Sequence, residues 1–141
     1  MATVNPYLSF NGTCEEAFNF YKSVFGGDFA YVGRYSEMPA EYGVTESDKN
    51  KIMHISLPIS KETVLMGADA SGAFGGDAKP GSNFSVSINT DSEEEARKLF
   101  NGLSSGGQIT MPFDKTFWGS LFGMATDKFG INWMVSYDFN A

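Results

Sequence analysis

Few side chains in this sequence have the chemistry of a functional site, and the first is the single histidine, His54. An imidazole on a strand can hydrogen-bond a bound ligand or act as a general base, or it can be a satisfied polar group within the sheet. One imidazole cannot build a metal site by itself. Asp69 ends a predicted strand and precedes a glycine-rich stretch. Its carboxylate either caps that stretch or pairs with His54 to select the tautomer. We take His54 as the candidate catalytic residue, and both residues as candidate ligand contacts.

A second candidate surface is aromatic and lies near the end of the chain, in residues 117–135, FWGSLFGMATDKFGINWMV. The period-two alternation predicts two strands joined by a turn at residues 127–130. Trp118 and Phe122 share one face of the first strand, and Trp133 lies on the returning strand. Aromatic residues in sheets most often fill the core, and the alternative is that these three line a pocket. We take Trp118, Phe122 and Trp133 as candidate ligand-binding residues for an apolar or aromatic small molecule.

The elements that position these residues occur twice. Thr13 and Glu16 form a predicted capping box, and apolar residues with helical spacing follow it. Ser92 and Glu95 repeat the box 79 residues later, and a second apolar stripe follows. A glycine pair ends each predicted helix. The chain is therefore an internal duplication.

Each half reads as strand, helix and three further strands, which predicts an α+β fold of tandem βαβββ modules. The first module covers about residues 5–70, a linker covers about 70–82 and the second module covers about 83–138. One such sheet leaves an apolar face uncovered. We therefore expect a single domain, residues 1–141, in which a curved and partly closed sheet forms a cup for a ligand.

Composition narrows the classes of partner. A net charge of −7 without a stripe of Lys and Arg argues against nucleic acid and anionic membranes. The first ten residues lack the features of a signal peptide, and no window approaches the length that spans a bilayer. The lone Cys14 favours a reducing compartment. We expect a cytoplasmic protein in which Cys14 is a small helix residue, although a helix start can lower a thiol pKa.

Eight short segments jointly match the sequence pattern of one protein family. They are YLSFNG at 7–12, EA at 16–17, FYKSVFGG at 20–27, MH at 53–54, LMGAD at 65–69, FWG at 117–119, DKFG at 127–130 and WM at 133–134. The chain resembles the PhnB-like branch of the vicinal oxygen chelate superfamily over nearly its whole length. That superfamily includes glyoxalase I, bleomycin-resistance proteins and extradiol dioxygenases. Some PhnB-like members are named 3-demethylubiquinone methyltransferases.

The resemblance implies a homodimer and, in metal-binding relatives, His, Gln or Glu ligands on the first and fourth strands of both modules. Tyr7, Ser9 and Met66 stand on those strands here, and Met134 stands where relatives carry a Glu. Thioethers are poor ligands for hard or borderline divalent ions. We therefore expect no metal and no cofactor. The few predicted helices also argue against a Rossmann-like site for S-adenosylmethionine.

The expected function is that of a small-molecule-binding protein of this superfamily. Two alternatives stay open. One is an enzyme of the lyase, isomerase or transferase type that uses His54 as general base, and the other is a resistance-type protein that sequesters a compound.

Overall fold

The structure is a computed structural model that describes residues 2–72 and 76–139. Residues 73–75 of the predicted linker lie outside the described residues. The chain divides into two compact units, Met1–Lys79 and Pro80–Ala141. The single-domain organisation expected from the sequence stays a prediction, and each unit is described by itself.

The first unit has one helix on one face of a four-stranded mixed sheet. The elements are β1 Tyr7–Phe10, α1 Cys14–Phe25, β2 Tyr31–Arg34, β3 Ile52–Pro58 and β4 Val64–Asp69. The sheet order is β1-β4-β3-β2, with β1 parallel to β4 and the other neighbours antiparallel. Three short 3-10 turns, Tyr35–Glu37, Ala40–Tyr42 and Glu46–Asp48, lie between β2 and β3.

The second unit repeats this arrangement. The elements are β5 Val86–Thr90, α2 Glu93–Ser104, β6 Gln108–Lys115, β7 Ser120–Thr126 and β8 Asn132–Asp138. The sheet order is β5-β8-β7-β6, with β5 parallel to β8. The bounds of α2 lie 79 residues after those of α1, as the duplication predicts. The predicted α+β fold of two βαβββ modules is thus confirmed.

Each sheet buries one face against its own helix. In the first unit, Leu8, Leu57 and Leu65 lie under α1 together with Phe18 of the helix. A Cβ atom added to Gly67 would stand 2.6 Å from the Phe18 ring, so the glycine allows the helix its close approach. Gly123 has the same relation to Phe100 of α2, at 2.7 Å.

The two helices begin differently, although the sequence predicts a capping box for both. Ser92 accepts a hydrogen bond from the Glu95 amide at 3.1 Å, as expected at an N-cap. Thr13 makes no side-chain cap bond. The amides of Gly12 and Cys14 instead donate to the carboxylate of Asp69, which arrives from β4. The carboxylate of Asp69 thus caps α1 in place of the Thr13 hydroxyl. Its negative charge also interacts favourably with the positive end of the helix dipole.

Candidate functional site

The face of the first sheet that points away from α1 presents His54 between two tyrosines. The Tyr7 hydroxyl lies 3.1 Å from His54 Nδ1. The ring centroids of Tyr7 and Tyr31 lie 5.6 and 5.8 Å from that of His54. His54 is half-buried, whereas Tyr7 and Tyr31 are 49% and 46% exposed. The three side chains therefore form an accessible polar and aromatic site, which we call the His54 cluster.

Strand pairing explains why these three residues meet. The β1 strand lies beside β4, and β4 lies beside β3, which carries His54. On the other side, Gly33 of β2 pairs with His54. The Tyr31 ring occupies the space where a Cβ atom of Gly33 would stand, since that atom would be 2.6 Å from the Tyr31 hydroxyl oxygen. Gly33 thus makes room for Tyr31 beside the imidazole.

The contact with Tyr7 controls what the imidazole can do. Burial is the main cause that raises the pKa of the Tyr7 phenol, so the phenol keeps its proton at neutral pH. When Tyr7 donates to Nδ1, neutral His54 offers Nε2–H as a donor. When Nδ1–H donates to the phenol oxygen, Nε2 becomes a free base. Among the described residues, Nε2 has no protein partner, so it is the atom that a ligand can reach.

Asp69 lies on the other face of this sheet and is 2% exposed. It pairs with Phe10 of β1, whose side chain is buried under α1. Its carboxylate accepts the amides of Gly12, Cys14 and Ile52, each at 2.9 Å. The structure does not bring it together with His54. The sequence analysis missed Tyr7 as the partner of the imidazole, because the contact spans 47 residues and depends on the order of the strands.

The aromatic candidates of the second unit separate onto two faces. Phe122 pairs with Ser136 on the face away from α2, and the exposed Trp118 packs edge-on against it at 6.1 Å. Trp133 pairs with Ala125 on the helix face and is 1% exposed. Its indole N–H donates to Asp127 Oδ2 at 2.8 Å. Trp118 and Phe122 are therefore accessible to a ligand, whereas Trp133 fills the core.

The donor set does not fit the divalent cation site of metal-binding relatives. Within residues 2–72 and 76–139, no group of three or more His, Cys, Asp and Glu side chains could hold a metal ion. The strand positions implied by the resemblance carry Tyr7, Met66 and Met134. A phenol with a raised pKa and two thioethers are weak ligands for Zn²⁺ or Mn²⁺. No catalytic step through such an ion follows from these residues.

Cys14 is not a reactive thiol in this structure. It is fully buried at the start of α1. Burial and then the charge of Asp69 raise the pKa of the thiol far above its usual range. The two effects outweigh the helix dipole, so Cys14 is the small helix residue that the sequence favours.

The chain resembles known proteins over nearly its full length. A family model described as 3-demethylubiquinone-9 3-methyltransferase matches residues 2–136. This chain belongs to that family. The Escherichia coli (strain K12) protein YjdN is 30% identical over 143 residues, which is 94% of this chain and 93% of YjdN.

Several solved structures share the fold of this chain. The Pseudomonas aeruginosa protein PA1353 is 38% identical with a TM-score of 0.84, covering 98% of both chains. A PhnB protein from Bacillus cereus, titled a putative 3-demethylubiquinone-9 3-methyltransferase, superposes with a TM-score of 0.75 at 24% identity. That match covers 96% of this chain and 99% of the other. Two glyoxalase/bleomycin resistance proteins, from Burkholderia phytofirmans PsJN and Albidiferax ferrireducens T118, share the fold with TM-scores of 0.58 and 0.60 at 13% identity. Among residues 2–72 and 76–139, neither α1 nor α2 has the length and hydropathy of a membrane-spanning helix.

Proposed function

We propose that this PhnB-like protein binds a small molecule at the His54 cluster. The observation that carries the proposal is a half-buried imidazole whose Nδ1 contacts Tyr7 and whose Nε2 has no protein partner in the described part of the chain. An imidazole held in this way presents one oriented polar atom between two aromatic rings. Such a mixture of aromatic walls and a few fixed polar groups is typical of small-molecule sites.

The chemistry of the cluster defines the class of ligand. Tyr7 and Tyr31 offer ring faces to a planar or apolar group. His54 Nε2 offers one hydrogen bond to a carbonyl, hydroxyl or ring nitrogen. Trp118 and Phe122 present a second accessible aromatic surface in the other unit, and we propose them as further ligand contacts. Asp69 and Trp133 were also candidate ligand contacts from the sequence. In this proposal they do not touch the ligand, and each stabilises the sheet of its own unit from the buried face.

A binding measurement on point variants tests the proposal. Native mass spectrometry of freshly purified protein first identifies any compound that adds mass to the chain. Its affinity is then measured for wild type, His54→Gln and Tyr7→Phe. Each variant is expected to bind the compound about tenfold more weakly. A tenfold change in affinity corresponds to about 1.4 kcal/mol, which is the contribution of about one hydrogen bond. The control is Tyr137→Phe, which removes a phenol from the other unit and should leave the affinity unchanged. Equal affinities in all four proteins would contradict the proposed site.

An enzyme that uses His54 as general base is the second candidate. The tautomer in which Nδ1–H donates to the Tyr7 oxygen leaves Nε2 as an available base. In that case the bound compound is recovered chemically changed, and His54→Ala abolishes the change. A resistance-type sequestering protein would release the compound unaltered. Mass analysis of the released compound separates these outcomes.

The family description suggests methyl transfer as one specific reaction. Each described sheet carries a helix on one face, unlike the doubly wound sheet typical of methyltransferases that bind S-adenosylmethionine. We therefore favour binding without this cofactor. Calorimetric titration with S-adenosylmethionine tests the point, and a stoichiometric binding isotherm would overturn it.

The homodimer remains a proposal that rests on the resemblance. The cytoplasmic location remains a proposal that rests on the lone Cys14 and the N-terminal sequence, and the joining of both modules into one ligand-binding domain rests on the uncovered apolar face of each sheet. Light scattering on the purified chain measures the mass in solution. A mass of one chain, 15.4 kDa, would contradict the dimer.

A further inference from the structure

Three methionines lie side by side across the second sheet. Met111 of β6 pairs with Met124 of β7 between two register shifts of β6, and Met124 pairs with Met134 of β8. Residues that are directly paired in antiparallel strands share a face, with Cβ atoms about 4.5–5.5 Å apart. The three side chains therefore form one row across three neighbouring strands, which we call the methionine row.

The row is not part of the hydrophobic core of its unit. The core under α2 is built from the alternate positions of the same strands, Leu121 and Ala125 in β7 and Val135 in β8. Met124 and Met134 are half-buried on the opposite face, and Met111 is 44% exposed. Strands favour β-branched and aromatic residues, so neither strand propensity nor core packing explains three unbranched thioethers in register.

Three thioethers in a row match the coordination chemistry of one ion class. Thioether sulfur is a soft donor that selects Cu(I) and similar ions over the hard and borderline divalent cations. Methionine has three rotatable side-chain bonds. The outer two sulfurs can therefore converge above the central one across strands spaced about 4.8 Å apart. The electrostatic setting also favours a cation, since Asp114 pairs with Phe122 beside the row and the chain carries a net charge of −7.

We propose that Met111, Met124 and Met134 form a binding site for one soft monovalent cation of the Cu(I) and Ag(I) class. The site is distinct from the His54 cluster and does not depend on the function proposed for that cluster. It involves no change of oxidation state, since the ion enters and leaves as a monovalent cation.

Titration with Ag(I) in chloride-free buffer tests the site directly. The protein is labelled with carbon-13 at the methyl groups of its seven methionines, and each resonance is assigned with single Met→Leu variants. We expect the methyl resonances of the row to shift and saturate at one Ag(I) per chain, with the other resonances unchanged. No shift, or shifts confined to methionines outside the row, would overturn the proposal.

Affinity measurements on matched variants complete the test. Met124→Leu conserves volume and apolar character, so it should fold normally while it removes the central donor. It is expected to weaken Ag(I) binding at least tenfold. The matched control is Met66→Leu, a half-buried methionine on a central strand of the first sheet, which should change the affinity less than twofold. Equal affinity in Met124→Leu and wild type would show that the row is only an adaptable apolar surface.

Cys14 is the only thiol of the chain, and a third variant tests whether it binds the ion. Cys14 is fully buried in the first unit, so Cys14→Ala should keep stoichiometric Ag(I) binding and the same methyl shifts. Loss of binding in this variant would assign the ion to the thiol and refute the site.

Discussion

Replacing Asp69 by asparagine tests the main structural inference about the first unit. The Asp69 carboxylate accepts three backbone amides at 2.9 Å, those of Gly12 and Cys14 at the start of α1 and that of Ile52 at the start of β3. Asparagine has the same shape but only one oxygen. If this oxygen stays with Gly12 and Cys14, the new NH₂ group faces the Ile52 amide, and two donors oppose each other in the interior.

The expected loss of stability follows from those three bonds. A hydrogen bond to a charged group contributes about 1.5–3 kcal/mol, and a neutral one about 0.5–1.5 kcal/mol. Asp69→Asn removes the bond to Ile52 and converts the other two from charged to neutral. The variant no longer buries a negative charge, and the desolvation cost that this removes offsets part of the loss. We therefore expect the free energy of unfolding to fall by about 2–4 kcal/mol.

Urea unfolding followed by far-ultraviolet circular dichroism measures this loss. With a slope of about 2 kcal/mol per molar urea, in the middle of the usual range, the midpoint should fall by about 1–2 M. The control is Asp28→Asn, whose carboxylate is 94% exposed and pairs only loosely with Lys22 at 3.4 Å. Such a surface change should stay within about 0.5 kcal/mol. If both variants unfold at the wild-type midpoint, Asp69 does not join α1 to β3 as argued.

Three further predictions concern other parts of the structure. Gly67→Ala should lower the free energy of unfolding by about 1–3 kcal/mol, because the new Cβ would stand 2.6 Å from the Phe18 ring of α1. The control is Gly72→Ala, whose new Cβ meets open space, and this variant should unfold in urea like wild type. The Cys14 thiol should react with Ellman's reagent only after unfolding, and a fast reaction of the folded protein would contradict its burial. Because the pKa of the thiol is raised in the folded state, the free energy of unfolding should fall as pH rises above about 8.5, where the thiol of the unfolded chain ionises first. In the Trp118→Phe variant, Trp133 is the one remaining tryptophan, and its fluorescence should be blue-shifted and poorly quenched by iodide because it is 1% exposed. Red-shifted and readily quenched emission would show that Trp133 is not buried.

Local patterns in the sequence were sufficient for the elements and their repetition. The helical stripes, the glycine pairs and the 79-residue offset depend on neighbours within a few positions, and the structure confirms both helices and the hairpin of β7 and β8. The boundaries were less accurate. Residues 117–119, predicted to lie in the first strand of the hairpin, lie in the turn before β7.

The cap of α1 shows where local reasoning fails. Thr13 and Glu16 have the spacing of a capping box, yet Asp69 supplies the acceptor from 55 residues away in the sequence. A buried carboxylate that meets three amides outcompetes a hydroxyl on the surface. Only the parallel pairing of β1 with β4 brings it there.

The sequence by itself determined the α+β modules, their duplication and the candidate side chains, because periodicity, caps and turn residues act over a few positions. Tertiary structure decided which face of a sheet each candidate occupies. His54 meets Tyr7 rather than Asp69, and Trp133 enters the core while Trp118 stays accessible. The physical reason is that strand order, register and bulges assign faces, and these depend on pairing between segments far apart in the chain.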